Sequence, residues 1–275
     1  MFHNAKELTL KLENIEMDYI TFGNGTKSLV IIQGLSTRSI KGMAIPLAFM
    51  YQIFAKDYTV YLFDRRKVVE EGITVREFAG DVAEAMDALQ ITKADVFGVS
   101  QGGMIAQYLA IDRPDLVHKL VLAVTLSRNN STVEEVVTNW ITLTEKGDFK
   151  ALVMDMAVKM YSEAYIKRYK LFMPLLTIVQ TPKDEKRFIT LAKACFTCNT
   201  YEELDKIQCP VLVMGGKEDK IVTGEASEEI AERLGCQIYM YEKMGHAIYE
   251  EAGDFNKRVY DFLKKKERRK SFCKR

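Results

Sequence analysis

Histidine is scarce in this sequence. His3, His118 and His246 are all that 275 residues contain, so chemistry that needs an imidazole base has few places to find one. Cysteine is sparse and odd in number; five thiols at irregular spacing do not make a disulfide framework. Cys195-Phe-Thr-Cys198 is a CxxC pair, but no second pair or spaced histidines accompany it. It therefore reads as two reduced cysteines rather than a zinc or redox centre. No apolar run approaches the roughly 20 residues of a membrane span. Met1 to Leu10 mixes charged with apolar side chains, unlike a secretory leader. Net charge is nearly absent, at +1, which calls for neither a nucleic-acid nor a membrane partner. Residues 264–275 are the exception, with eight Lys or Arg against one Glu, and read as a solvated extension of the last helix. Repeats, low-complexity tracts and long linkers are missing too. Together these absences lead to the expectation of a cytoplasmic protein.

What is present is core material, 48% hydrophobic, and it is patterned. Glu7 to Thr21 alternates like two strands joined at Glu13-Asn14. Continuous apolar runs at Ser28–Ile32, Thr59–Phe63 and Pro210–Gly215 read as buried strands, and Lys93–Val99, Leu120–Val124 and Gln237–Tyr241 as further strands. Helical periods lie between them. Pro46–Ala55 carries one, and Thr74 opens another with the capping box Thr74-x-x-Glu77. Thr223–Leu234 and Asp254–Lys266 carry two more. Strand and helix alternate as in a wound, mostly parallel α/β sheet with an N-terminal antiparallel hairpin. The rhythm breaks at residues 129–207, which read as helices only: one opened by Ser131-x-x-Glu134, then Phe149–Tyr161, Ala164–Leu176 and Lys183–Phe196. The expected division is a core of residues 1–128 and 208–275 with an all-helical cap, 129–207, inserted. The cap is rich in Met154, Met156, Met160, Tyr161, Tyr165, Tyr169, Phe172 and Met173, and offers few fixed charges.

The chemistry centres on Gly98-Val99-Ser100-Gln101-Gly102-Gly103, which lies between an apolar strand and a helix. A serine there must occupy a tight turn that lifts its hydroxyl above the sheet. A serine hydroxyl needs a base, and the base needs an anion to orient it. His3 lies near the terminus. His118 begins a strand, on the wrong edge of a parallel sheet for a ligand. His246, flanked by Gly245 and Ala247 after the last strand, is left as the base. Asp219 follows the strand ending at Gly215 and is the favoured orienting carboxylate; Glu218 is its adjacent rival, and Glu250 reads as facing solvent or capping a helix. The backbone N–H groups of Gln101 and of Leu35, the latter made approachable by Gly34, are candidate oxyanion donors.

Gly98-Val-Ser-Gln-Gly-Gly103, Gly34 after its strand, Asp64-Arg65, Asp219 after its strand and Gly245-His246 together resemble the α/β-hydrolase superfamily, in its small members with a helical cap. The likeness runs from about Leu8 to Leu263. It implies a Ser100, His246, Asp219 triad, an oxyanion hole of Gln101 and Leu35, and no metal or cofactor. Gln33-Gly34 stands where many relatives carry His-Gly, and the Gln33 amide is then expected to tie down the loop. Arg66-Lys67-Val68-Val69-Glu70 replaces a small, Gly-rich continuation. The expected activity is serine hydrolysis of a small, fairly apolar carboxylic ester. Enol lactones, thioesters and C–C bonds beside a ketone are alternatives for the same triad, and a non-catalytic binding module is a further one.

Overall fold

The central apolar runs become strands because both their faces are covered, whereas Gln237–Tyr241, at the sheet edge, is covered only in part. The computed structural model describes residues 2–169, 171 and 180–265. Eight strands form one sheet: β1 (Lys6–Lys11), β2 (Glu16–Phe22), β3 (Lys27–Ile32), β4 (Tyr58–Arg66), β5 (Ala94–Val99), β6 (Val117–Ala123), β7 (Val211–Gly216) and β8 (Gln237–Tyr241). Their spatial order is β1-β2-β4-β3-β5-β6-β7-β8. The pairs β1–β2 and β2–β4 are antiparallel, and every pair from β4–β3 to β7–β8 is parallel. Leu29 and Ile31 enter the core on one face while Val30 and Ile32 enter the other. That is the two-residue strand period acting on the wholly apolar stretch Leu29–Ile32.

Helices cover the sheet on both sides. α1 (Ala44–Met50) and the closing helix pack on one face; α2 (Val75–Ala88) and α3 (Gln101–Asp112) pack on the other. The capping box at α2 is formed, with Glu77 N–H donating to Thr74 Oγ1 at 3.1 Å and Thr74 N–H to Glu77 Oε2 at 2.8 Å. β4 runs two residues beyond Asp64, where the apolar run had suggested it would stop. The antiparallel ladder with β2 continues to the Met17–Arg66 pair, and Arg66 is anchored by Asp81. β1 is an edge strand, and its Leu8 remains 40% exposed.

Between β6 and β7 lie α4 (Ser131–Glu145), α5 (Phe149–Met160), α6 (Glu163–Tyr169) and α7 (Glu185–Ala194). Two 3₁₀ turns, at Cys195–Thr197 and Tyr201–Lys206, end the segment. No strand of the sheet falls here among the described residues, although Arg128 and Asn199 form an isolated bridge. Phe172, Met173 and the rest of the expected Ala164–Leu176 helix beyond Tyr169 lie outside the described residues, apart from Leu171. So do residues 266–275 of the basic end. The α4 start corrects the capping box at Ser131. Asn130 is the N-cap, its Oδ1 accepting from Val133 N–H at 2.9 Å, and Ser131 is already helical. Asparagine caps at least as well as serine, and Asn130 also donates to the Val222 carbonyl, which holds it in place. Val133, Trp140, Leu152 and Phe188 of these helices share one core with α2 and α3.

The chain then returns to the sheet through β7, followed by α8 (Gly224–Leu234), β8, α9 (Ile248–Glu251) and α10 (Phe255–Lys264). No helix of the described residues is long and apolar enough to cross a membrane.

Candidate active site

Ser100 joins β5 to α3 at φ 53°, ψ −121°. This is left-handed backbone that a side chain rarely adopts, and it costs about 1–3 kcal/mol. The surroundings hold it there. Ser100 N–H donates to the Ala123 carbonyl at 2.9 Å, and Thr125 Oγ1 donates to the Ser100 carbonyl at 2.8 Å. The glycines of the motif are steric necessities. A Cβ on Gly98 would stand 2.7 Å from Gly103 Cα, and one on Gly102 would overlap the Ile32 carbonyl oxygen. β3 therefore ends directly against the turn. A Cβ on Gly34 would lie 3.2 Å from Ser100 Cβ, so the loop after β3 touches the serine.

His246 follows β8 and is 3% exposed. Its Nδ1 lies 2.8 Å from Oδ2 of Asp219, which follows β7 and is itself buried. With Nδ1–H donating to the carboxylate, Nε2 is left as the acceptor. The other Asp219 oxygen accepts the N–H groups of Ile221 at 2.8 Å and Val222 at 3.1 Å, so the carboxylate cannot swing. Glu218 is exposed, and its backbone N–H donates to the Met244 carbonyl. Glycine again permits the approach, since a Cβ on Gly216 would overlap the Gly245 carbonyl. Ala247 N–H donates to the Met160 carbonyl at the end of α5 at 2.8 Å, which seats the histidine loop against the helical segment.

Ser100, Asp219 and His246 thus stand after the carboxyl ends of β5, β7 and β8, on one rim of the sheet. No hydrogen bond among the described residues joins Ser100 Oγ to the imidazole; such bonds often close only around substrate. The N–H groups of Gln101 and Leu35 have no acceptor among the described residues, as befits the first turn of α3 and an open loop. His118 lies at the opposite rim, its Nδ1 at 2.7 Å from Asp95, which also accepts from Tyr58. His3 is exposed in an N-terminal 3₁₀ turn. Cys195 and Cys198 are buried thiols, and burial pushes Cys195 up to about 11. No group of three potential metal ligands occurs among the described residues.

Residues the motifs did not assign brace this rim. Arg65, at the end of β4, is 7% exposed, and burial pulls its guanidinium down to about 10. It donates to the Gln33 carbonyl at 2.7 Å and to Gln101 Oε1 at 3.2 Å. The loop after β3 is therefore tied through the Gln33 backbone, not through its amide as expected from the sequence. Gln101 completes the link by donating to the Leu191 carbonyl of α7 at 2.6 Å. Arg187 of α7 donates to the carbonyls of Arg65, Arg66 and Lys67. A small, solvent-open cleft lies among Gly34, Arg38, Asp64, Arg65, Gln101 and Arg187. Of its charged residues only Arg187 comes from the helical segment; Arg38, Asp64 and Arg65 belong to the sheet and its loops.

The alpha/beta hydrolase fold family model matches residues 27–146. A pimeloyl-[acyl-carrier protein] methyl ester esterase of Neisseria meningitidis serogroup B / serotype 15 is 31% identical over 199 residues, 64% of this chain and 70% of that protein. The chain belongs to the alpha/beta hydrolase fold family. Within that family, 3-oxoadipate enol-lactonase 2 of Acinetobacter baylyi is 20% identical over 82% of this chain and 84% of its own. The crystal structure of the enol-lactonase from Burkholderia xenovorans LB400 superposes with a TM-score of 0.83 at 22% identity, covering 94% of this chain and 100% of that one.

Proposed function

We propose that the protein is a serine hydrolase that cleaves a small carboxylic ester through an acyl-enzyme. The observation that carries this is Ser100 held at φ 53° beneath the N-terminus of α3, on the same rim as the buried Asp219–His246 pair. Strain of that kind persists only where the surrounding structure enforces it, and here it exposes one hydroxyl. In this reading Ser100 Oγ attacks the ester carbonyl while His246 Nε2 takes its proton. The N–H groups of Gln101 and Leu35 receive the negative charge on the carbonyl oxygen. The acyl–oxygen bond breaks, and the alcohol leaves with the proton from His246. Water, deprotonated by the same imidazole, then attacks the acyl-enzyme and releases the acid. Asp219 stabilises the imidazolium and fixes its tautomer. Residues 129–207 serve as the cap over this rim, the core being residues 1–128 and 208–275. Support for the cap comes from the contacts of Met160 with Ala247 and of Gln101 with Leu191.

A lactone is the same bond closed into a ring, and the Acinetobacter and Burkholderia relatives are named as enol-lactonases. It is the second substrate form that this reading admits. The test is Ser100→Ala against p-nitrophenyl butyrate and a fluorophosphonate probe. Turnover should fall by at least about 10⁴-fold, since nucleophile loss leaves only binding and oxyanion stabilisation. Labelling should vanish. Undiminished turnover or labelling in the variant overturns the assignment.

A further inference from the structure

We infer that the cleft beside Ser100 is an anion subsite, and that the substrate carries a free carboxylate that docks there. The inference rests on the serine hydrolase reading and names its substrate class. Arg38, Arg65 and Arg187 are among the residues lining the cleft, and Asp64 is the one acidic residue with them. Asp64 is already engaged: it accepts the N–H groups of Ile40 at 3.2 Å and Arg65 at 2.7 Å, with Arg187 at 3.7 Å. The lining therefore carries an excess of two positive charges.

The two inner arginines have structural duties. Arg187 is bound to backbone carbonyls of β4 and Arg65 to Gln33 and Gln101, while Arg65 Nε is buried without an acceptor. Arg38 is different. It is half-buried on the loop after β3, lines the cleft, and its guanidinium has no hydrogen bond or ion pair among the described residues. Carbonyl oxygens satisfy donors but do not cancel charge. Like charges gathered where water is partly excluded repel one another, and an incoming anion relieves that repulsion. A planar carboxylate matches a guanidinium fork with two parallel hydrogen bonds. Ile40, Phe63 and Leu191 supply the apolar remainder of the lining, suited to a short methylene chain. Gly34 and Gln101 belong both to this cleft and to the rim of Ser100, so one substrate can reach both.

The experiment compares pairs of similar shape that differ in charge, each ratio being read against that of Arg38→Met so that intrinsic reactivity cancels. Mono-p-nitrophenyl adipate is set against p-nitrophenyl 6-methylheptanoate for the acyl side. For the alcohol side, 4-acetoxybenzoate is set against 4-isopropylphenyl acetate. Ser100→Ala serves as the blank. One anionic member should be preferred about tenfold or more in kcat/KM, and the preference should shrink as salt is raised. Arg38→Met should bring that ratio close to one, and Arg38→Lys should retain part of it. Calorimetric titration with adipate reads the subsite without chemistry, and Arg38→Met should weaken binding about tenfold. A preference for the neutral member in both pairs, a ratio unmoved by Arg38→Met, or no adipate binding to the wild-type protein overturns the anion subsite. Turnover that survives in Ser100→Ala overturns the hydrolase reading instead.

Discussion

Asp219 and Glu218 are neighbours in sequence with opposite fates in the fold. Asp219 is buried, receives two backbone N–H groups and meets His246 at 2.8 Å, whereas Glu218 points its side chain to solvent. Asp219→Asn is therefore expected to lower kcat by about 10⁴-fold, because an amide no longer enforces the productive tautomer. Glu218→Gln should change it less than about threefold. Steady-state kinetics on one ester decide the matter, and equal losses would remove Asp219 from its role. The glycines allow a second comparison. Gly102→Ala would drive a methyl into the Ile32 carbonyl, while a methyl on Gly253 meets nothing within 4 Å. The first should cost several kcal/mol, at or above the usual range of about 1–3 for overpacking, and the second very little. Urea midpoints read both; a Gly102→Ala protein as stable as wild type would mean that β3 is not packed against the turn.

At the scale of elements, helix starts show how far local signals reach. The Thr74 capping box is realised in full, with both of its reciprocal bonds present. The equally good pattern at Ser131 is not used, because Asn130 reaches both Val133 N–H and the Val222 carbonyl of a segment remote in sequence. Asn130→Ala should cost about 1 kcal/mol, while Ser131→Ala should cost no more than a few tenths, since Ser131 makes no cap. Equal costs, measured by denaturant unfolding, would restore the box. The extension of β4 has a similar origin. Arg65 and Arg66 are polar and end the apolar run, yet β2, Asp81 and Arg187 keep them extended.

Across the whole molecule, the helical segment and the sheet are held as one body partly through α7 and its end. Leu191 and Cys195 meet Gln101 there, next to Ser100. Burial raises the Cys195 thiol from its ordinary 9 to about 11. The folded state therefore keeps a proton that the unfolded chain releases. The sign follows from that: the contribution is complete below pH 9, declines between 9 and 11, and is gone above. Unfolding free energy should fall on going from pH 8 to pH 10.5, and Cys195→Ala should make the fall shallower by on the order of 1–2 kcal/mol. Urea titrations at the two pH values test this. An identical slope in the variant would show that the thiol ionises as freely in the fold as outside it.

Fold class was legible before any coordinates, and so was the strand–turn–helix setting of Ser100. Both rest on local chemistry: apolar runs too continuous for one-sided strands, and glycines on either side of a serine between strand and helix. His246 was reached through scarcity, since the other two histidines stand on unsuitable elements. Position after the strand favoured Asp219 over Glu218, but the burial that separates the two comes from packing β7 beside β8 and is not written in the local pattern. Nor could it disclose the Arg65 brace or the charge of the cleft, for Arg38, Asp64, Arg65 and Arg187 come from three separate stretches. Sequence alone determined which elements exist, because hydrogen-bond period and steric freedom act over a few residues. The tertiary structure decided which charges meet, because an ion's environment is set by neighbours that the chain brings from far away.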